Sequence, residues 1–143
     1  MELDALDRQL LARLQANARE PTAALARALQ VSRTTIQSRI RRLERRGVIA
    51  GYTLRLSSDY ERRKIRAHVL INARPQAWPR TEQQLARIPQ VTALYSVSGI
   101  YDLIAIIAAD SMEELDQLME RIGSLEGVDK TTSSIILSNK FLR

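Results

Sequence analysis

The sequence predicts an α+β fold in two parts, a winged helix-turn-helix at residues 1–56 and a ferredoxin-like βαββαβ domain at 65–143, joined by a linker at 57–64. Two observations favour this organisation. In the first half, apolar residues recur every three or four positions, as in amphipathic helices. In the second half, short runs rich in Val and Ile alternate with two helical patterns. A chain of 143 residues is long enough for two small domains.

Three helices are predicted in the first part. The first spans about Asp4–Asn17, with leucines at helical spacing and early acidic residues that suit the positive end of the helix dipole. The second is short, spans Pro21–Leu29 and begins with a proline, which is well tolerated at a helix start. The third spans Arg33–Arg46, with Ser32 as its N-cap and Gly47 as its C-terminal glycine.

The third helix carries the predicted chemistry. Its apolar residues Ile36, Ile40 and Leu43 fall within one stripe, and a polar, cationic face lies opposite. A short helix, a tight turn and a longer basic helix form the helix-turn-helix layout, whose last helix enters the major groove of double-stranded DNA. Short polar side chains can reach base edges, Arg41 can read guanine or bind phosphate, and the other arginines, Arg39 and Arg46 among them, suit phosphates. The predicted DNA-binding residues are Ser32, Arg33, Thr34, Thr35, Gln37, Ser38, Arg41, Arg42 and Arg45.

A strand or small wing with a bend at Gly51 is predicted at Val48–Leu56, followed by the polar linker. The distribution of charge supports a polyanion-binding first half. Residues 1–63 contain 13 Lys/Arg and 7 Asp/Glu, whereas residues 64–143 contain 9 of each. The whole net charge of +6 therefore lies in the first half. The alternative is that these arginines only form a solvated helical surface.

The second part is predicted to place two helices on one face of a four-stranded sheet. The other face has no cover within this chain and would carry Leu70, Leu94, Ile104, Ile106 and Ile136. Such a patch is large for a monomer, so we expect a homodimer packed sheet to sheet, which would suit a palindromic operator. The predicted elements are a strand at Ile65–Ala73, a helix from Trp78 ended by Pro89, strands at Val91–Ser98 and Tyr101–Ala109, a helix opened by Ser111, and a strand at Val128–Asn139.

Several other classes of protein are disfavoured. The chain has no cysteine, which excludes disulfides, thiolate metal sites and a cysteine nucleophile. The single histidine, His68, lies mid-strand, where a structural or surface role is expected, and no catalytic or metal-binding spacing is visible. We therefore expect no enzyme, no metal and no cofactor. Without a signal-peptide pattern or about 20 consecutive apolar residues, we expect a cytoplasmic protein with no membrane partner.

The sequence also resembles the Lrp/AsnC (leucine-responsive/asparagine-regulator, feast/famine) family of transcriptional regulators over essentially its whole length. The order and spacing of several motifs carry the resemblance. They are Leu3-Asp4-Ala5-Leu6-Asp7 with Leu10-Leu11, the run from Arg39 to Ile49 followed by Gly51-Tyr52, the loop Val97-Ser98-Gly99-Ile100-Tyr101-Asp102, and Gly127-Val128 with Thr131 and Ser133.

The resemblance implies a DNA-binding regulator that dimerises through its second domain, assembles further into tetramers or octamers, and responds to an amino acid where dimers meet. From the residues alone, Gly99 can expose backbone N–H groups for a carboxylate and Asp102 can pair with an ammonium group. Equally, the loop can be a simple hairpin turn whose aspartate bonds nearby backbone. The effector-binding residues implied are Ser98, Gly99, Ile100, Tyr101, Asp102, Thr131, Thr132 and Ser133.

Two positions depart from the family pattern. Gln30 stands where the helix-turn-helix turn often has glycine, so a left-handed backbone there would cost about 1 kcal/mol. Ile100 stands where a polar residue is common, which would alter the choice of ligand or remove the response. The alternative function is a ligand-independent architectural protein that compacts DNA with little sequence preference.

Overall fold

The computed structural model describes residues 2–61 and 63–141. The chain forms two compact units, residues 1–55 and 56–143. Arg62 of the predicted linker and the last two residues of the predicted second domain lie outside the described residues. No described helix is long and apolar enough to cross a membrane. Within the same described ranges, no group of three His, Asp or Glu side chains could hold a metal ion.

The first unit contains the three predicted helices, α1 (Ala5–Ala16), α2 (Thr22–Leu29) and α3 (Arg33–Arg45). Each helix turns an apolar stripe inward, and a fully buried Leu or Ile side chain contributes about 1.5–3 kcal/mol of transfer free energy. Gln30 ends α2 with a left-handed backbone at φ 55°, which confirms the conformation predicted for the turn. The core of this unit consists of Leu10, Leu14, Leu25, Ala26, Ile36 and Leu43.

The strand or wing predicted at Val48–Leu56 is not a strand in the structure. Residues 48–56 form no strand, and they pair with none of the strands among the described residues. Tyr52, Leu54 and Leu56 are exposed. The Tyr52 hydroxyl donates a hydrogen bond to Glu44 Oε1 at 2.8 Å. Partial desolvation of this hydroxyl, together with its hydrogen bond to the carboxylate, raises the pKa of Tyr52. A short helix, α4 (Ser58–Glu61), lies within the predicted linker.

The second unit has the predicted βαββαβ order. Its elements are β1 (Ile65–Ala73), a 3-10 turn (Pro75–Ala77) that leads into α5 (Trp78–Ala86), β2 (Val91–Ser96), β3 (Leu103–Ala109), α6 (Met112–Gly123) and β4 (Val128–Ile136). The strands form one antiparallel sheet in the order β2-β3-β1-β4.

The core of the second unit lies between the sheet and its two helices. On β3, residues alternate between fully and partly buried, so one face is sealed by helices and the other is open within this chain. The sealed core consists of Ala67, Val69, Ile71, Ala73, Leu85, Ile88, Leu103, Ala105, Ile107, Ala109, Leu115, Leu118 and Ile122.

One residue predicted on the open sheet face lies on the other side. Leu94 pairs with the buried Ala105 and packs against the helix-covered core. The cause is a register shift between Val91 and Ala93, which adds a residue to β2 and reverses the alternation beyond it. The open face therefore carries Ala93 and Tyr95 from β2 instead of Leu94.

Candidate DNA interface and effector loop

Helix α3 begins with a side-chain cap that uses two of the predicted DNA-binding residues. The Ser32 hydroxyl accepts a hydrogen bond from the Thr35 backbone N–H at 3.0 Å and lies 2.8 Å from the Thr35 hydroxyl. Such a cap stabilises a helix by about 1 kcal/mol. Ser32 and Thr35 therefore fix where the helix starts, and Thr35 is half-buried.

The remaining predicted side chains lie mostly on one exposed face of α3. Ile36 and Leu43 are buried against α1 and α2, so the opposite side of the helix meets solvent. In residues 2–61 and 63–141, no ion pair involves Arg33, Arg41 or Arg45. The residues exposed on this side are Thr34, Gln37, Ser38, Arg41 and Arg45, and Arg33 is exposed in the first turn of the helix.

The structure gives Arg42 a different neighbour from the phosphate that the sequence favoured. Its guanidinium Nη2 lies 2.5 Å from Asp7 Oδ2, on the flank of α3 that faces α1. Arg39 pairs with both Asp4 and Asp7, and its Nη1 lies 3.1 Å from Asp7 Oδ1. These two arginines therefore have carboxylate partners inside the first unit.

Asp7 is the residue that sequence reasoning missed. As an early acidic residue of α1 it is expected to suit the helix dipole at the surface, yet the structure buries it to 1% exposure. Asp4 and Asp7 also cap each other: the Asp7 N–H donates to Asp4 Oδ1 at 2.8 Å, and the Asp4 N–H donates to Asp7 Oδ2 at 3.3 Å. The only sequence signal was an Asp-x-x-Asp spacing at a helix start.

The electrostatics of this cluster follow from its contacts. The Arg39 guanidinium and the Asp7 N–H hold the pKa of Asp4 at about 2, below its ordinary value of 3.8. The two carboxylates in turn raise the pKa of Arg39. Asp4 and Arg39 therefore both remain charged near neutral pH.

The predicted effector loop connects β2 and β3. Gly99 has φ +119°, a backbone region that favours glycine, and a Cβ built there would meet no atom within 4 Å. Ile100 is 84% exposed at the tip, and Ser98 is also exposed. The loop therefore presents its backbone and one large apolar side chain to its surroundings.

Asp102 is half-buried and already has a structural partner. Its Oδ2 accepts a hydrogen bond from the Ala73 backbone N–H at 2.9 Å, and its own N–H donates to the Ile71 carbonyl at 2.9 Å. This matches the interpretation in which the aspartate satisfies nearby backbone groups. It ties the loop to the end of β1.

The predicted effector residues of β4 divide between the two faces of the sheet. Thr132 pairs with Leu70 on the open face, and its Oγ1 accepts a hydrogen bond from the Tyr101 hydroxyl at 3.1 Å. Thr131 and Ser133 pair with the buried Ile71 and Val69, so they point to the helix side. The structure thus brings Tyr101 and Thr132 together and separates them from Thr131 and Ser133.

A groove of about 520 Å³ lies at the opposite end of the sheet from this loop. Its lining includes Glu61, Arg66 and Ile136, and none of the predicted effector residues. Arg66 Nη2 pairs with Glu61 Oε1 at 2.9 Å. The groove therefore does not coincide with the candidate effector site.

Comparison with known proteins assigns both units. An AsnC-type helix-turn-helix domain matches residues 3–44, and an Lrp/AsnC ligand binding domain matches residues 66–142. The HTH-type transcriptional regulator LysM of Saccharolobus solfataricus is 34% identical over 97% of this chain and 96% of its own length.

Solved structures agree with the fold over nearly the whole chain. The Escherichia coli AsnC structure has a TM-score of 0.90 and 26% identity, covering 100% of this chain and 97% of that chain. A Neisseria meningitidis transcriptional regulator in complex with L-Met has a TM-score of 0.89 and 22% identity, covering 99% and 94%. The chain therefore belongs to the Lrp/AsnC family of HTH-type transcriptional regulators.

Proposed function

We propose that α3 lies in the major groove of double-stranded DNA, with its exposed face reading an operator. The observation that carries the proposal is the side of α3 opposite its buried stripe, where short polar side chains and exposed arginines lie together. Thr34, Gln37 and Ser38 reach base edges, and Arg41 reads guanine or binds phosphate. Arg33 and Arg45 bind phosphates, while Ser32 and Thr35 place the N-terminus of α3 against the backbone.

The salt dependence of binding to DNA tests this orientation. Each lost phosphate contact should flatten the slope of log Kd against log salt concentration by about 0.9. Arg41→Gln and Arg45→Gln should each show this change in fluorescence anisotropy titrations between 50 and 200 mM salt. Arg87→Gln, an exposed arginine of the second unit, removes the same charge and should leave the slope unchanged. Equal slopes in all three variants would contradict the orientation.

Sequence specificity separates a regulator from the alternative architectural protein. A regulator prefers its operator to random DNA by at least about 10³-fold. An operator selected from a randomised duplex library should show this preference and give a bounded footprint. Uniform protection of any duplex would favour DNA compaction without an effector.

We further propose that the β2–β3 loop binds an amino acid or a related small molecule. Backbone N–H groups around Gly99 suit the carboxylate, and the Asp102 carboxylate suits the ammonium group. Tyr101 and Thr132 border the site on the open face, with Ser98 and Ile100 beside them in the loop, whereas Thr131 and Ser133 of the same strand point to the helix side. The L-Met complex of the Neisseria regulator supports an amino acid as the ligand class.

A thermal-shift screen of the twenty amino acids tests the effector site. A ligand at 100 times its Kd adds about 2.7 kcal/mol to the free energy of unfolding. Asp102→Asn keeps an oxygen that can accept from the Ala73 N–H but removes the charge, so it should abolish the shift and leave ligand-free DNA binding intact. Asp116→Asn, on the exposed side of α6, is the matched control. A normal shift in Asp102→Asn would contradict the site.

We propose that two copies pack through their open sheet faces, and that such dimers assemble further into tetramers or octamers. The centre of the face carries Leu70, Ile104 and Ile106, which remain only partly buried within one chain. A dimer presents one α3 to each half of a palindromic operator. Ligand binding where dimers meet would then change operator affinity by altering this assembly.

A further inference from the structure

The contacts proposed with DNA leave a buried carboxylate without a role. Asp7 is 1% exposed, and its two oxygens contact Arg39 Nη1 at 3.1 Å and Arg42 Nη2 at 2.5 Å. Asp4, at the start of α1, adds a second carboxylate to Arg39. The cluster therefore ties two arginines of the DNA-binding helix to a neighbouring helix.

The arginines of α3 divide into two sets by position. Arg41 and Arg45 are exposed on the side opposite the buried stripe, and Arg33 is exposed in the first turn of the helix. Arg39 and Arg42 lie on one flank, with side chains 25% and 35% exposed. Both flank arginines keep part of their surface in solvent, so they could turn toward a nearby phosphate if their carboxylate partners were absent.

An arginine on a phosphate raises affinity for every DNA sequence alike, because the backbone carries no sequence information. Additional phosphate contacts therefore strengthen the binding of random DNA, which competes with the operator. When some arginines of a DNA-binding helix do not contact phosphates, base contacts supply a larger share of its affinity for DNA.

We propose that Asp7 is a positioning residue that withholds Arg39 and Arg42 from the DNA backbone and so limits non-specific binding. The inference rests on the proposed orientation of α3 on DNA. Asp7 prevails over a phosphate because its carboxylate is buried, so its attraction to the two partly exposed arginines is screened less by salt than that of a phosphate at the DNA surface. If either arginine turned outward, the buried Asp7 carboxylate would also lose part of the positive charge that compensates it.

The first test replaces Asp7 by an amide of the same size. Asp7→Asn should release at least one guanidinium, so the slope of log Kd against log salt for a random duplex should steepen by about 0.9. Random-duplex affinity at 100 mM salt should rise several-fold, and the preference for a selected operator should fall. A residue with only a structural role would instead weaken binding to both DNAs when lost. Circular dichroism confirms that the variant is folded.

The second test does not depend on the folding of Asp7→Asn. Arg42→Gln should leave the salt slope of random-duplex binding unchanged, while Arg45→Gln flattens it by about 0.9. The double variant Asp7→Asn/Arg42→Gln should lose part of the increase in random-duplex affinity that Asp7→Asn shows alone.

The outcomes separate this inference from the orientation on which it rests. An unchanged slope for Arg45→Gln would overturn the orientation and the inference with it. Flattening by Arg42→Gln equal to that by Arg45→Gln would overturn the withholding role alone, as would an unchanged slope for folded Asp7→Asn. If Asp7→Asn does not fold, the comparison of Arg42→Gln with Arg45→Gln decides the matter.

Discussion

Two glycines of the second unit have positive φ for different local reasons. At Gly127, with φ +91°, an added Cβ would lie 2.3 Å from Ala77 Cβ and 3.2 Å from Thr81 Oγ1. At Gly99, with φ +119°, an added Cβ would meet open space. Gly127 therefore permits two segments to approach closely, whereas at Gly99 the absence of a Cβ matters for the backbone conformation and not for packing.

Alanine at each position separates these two costs. Gly99→Ala should lower the free energy of unfolding by about 1 kcal/mol, the cost of a left-handed backbone with a Cβ. Gly127→Ala should lower it by about 2–4 kcal/mol, because overpacking adds to that cost. Urea denaturation followed by circular dichroism measures both. Equal losses would show that the segment around Ala77 moves aside without cost.

At the scale of single residues, composition and spacing identified most of the polar face of α3, since side chains opposite an apolar stripe must meet solvent. The pairing of Arg42 with Asp7 could not be predicted in this way. These residues are 35 positions apart in sequence, and only the packing of α1 against α3 brings their side chains into contact. A buried carboxylate and a surface carboxylate look alike in a sequence.

At the scale of elements, the turn between α2 and α3 is strained at Gln30. Its φ of 55° is the only positive value at a non-glycine residue among those described, and the next N–H, of Val31, donates to the Ala26 carbonyl at 3.0 Å. This is the hydrogen bond of a helix that ends in a left-handed residue, usually glycine. The geometry of the turn is therefore retained with a residue that is poorly suited to it.

Glycine at this position should stabilise the first unit. Gln30→Gly should raise the free energy of unfolding by about 0.5–1 kcal/mol, since relief of the left-handed strain exceeds the added entropy of the unfolded chain. Gln30→Ala keeps a Cβ and should change stability by less than about 0.5 kcal/mol. Thermal melts of both variants make the comparison. A loss of stability in Gln30→Gly would show that the glutamine side chain stabilises the turn.

The strand β2 shows where reasoning from periodicity stops at this scale. Alternation placed Leu94 on the open face, and the register shift between Val91 and Ala93 moved it to the helix-covered face. A bulge depends on how a strand meets its partner, so a pattern of period two in one strand cannot reveal it.

At the scale of the whole molecule, neighbouring residues of β3 distinguish an interface from a core. Ile106 faces the open side opposite His68 and Ala93, while Ile107 is fully buried under the helices. A charge on the open side costs little within one chain but prevents two sheets from packing. A charge introduced at position 107 would be buried in the core without a partner, which is strongly destabilising.

Lysine substitutions at these two positions test the dimer. Ile106→Lys should remain folded and sediment as a monomer, whereas Ile107→Lys should lose about 4 kcal/mol or more and unfold. Sedimentation velocity with circular dichroism of the same samples distinguishes the two results. A dimer of wild-type mass in Ile106→Lys would contradict packing through this face.

Local patterns along the chain were enough to predict two domains, three helices followed by βαββαβ, and the cationic face of α3, while the resemblance to the family indicated the left-handed backbone at Gln30. They were enough because periodicity, caps and turn residues act over a few positions, where the chain itself sets the neighbours. The folded molecule alone showed that the buried Asp7 pairs with Arg39 and Arg42, that Leu94 faces the helices, and that residues 48–56 form no strand. Each of these depends on contacts between distant segments, whose geometry is set by how whole helices and strands pack together.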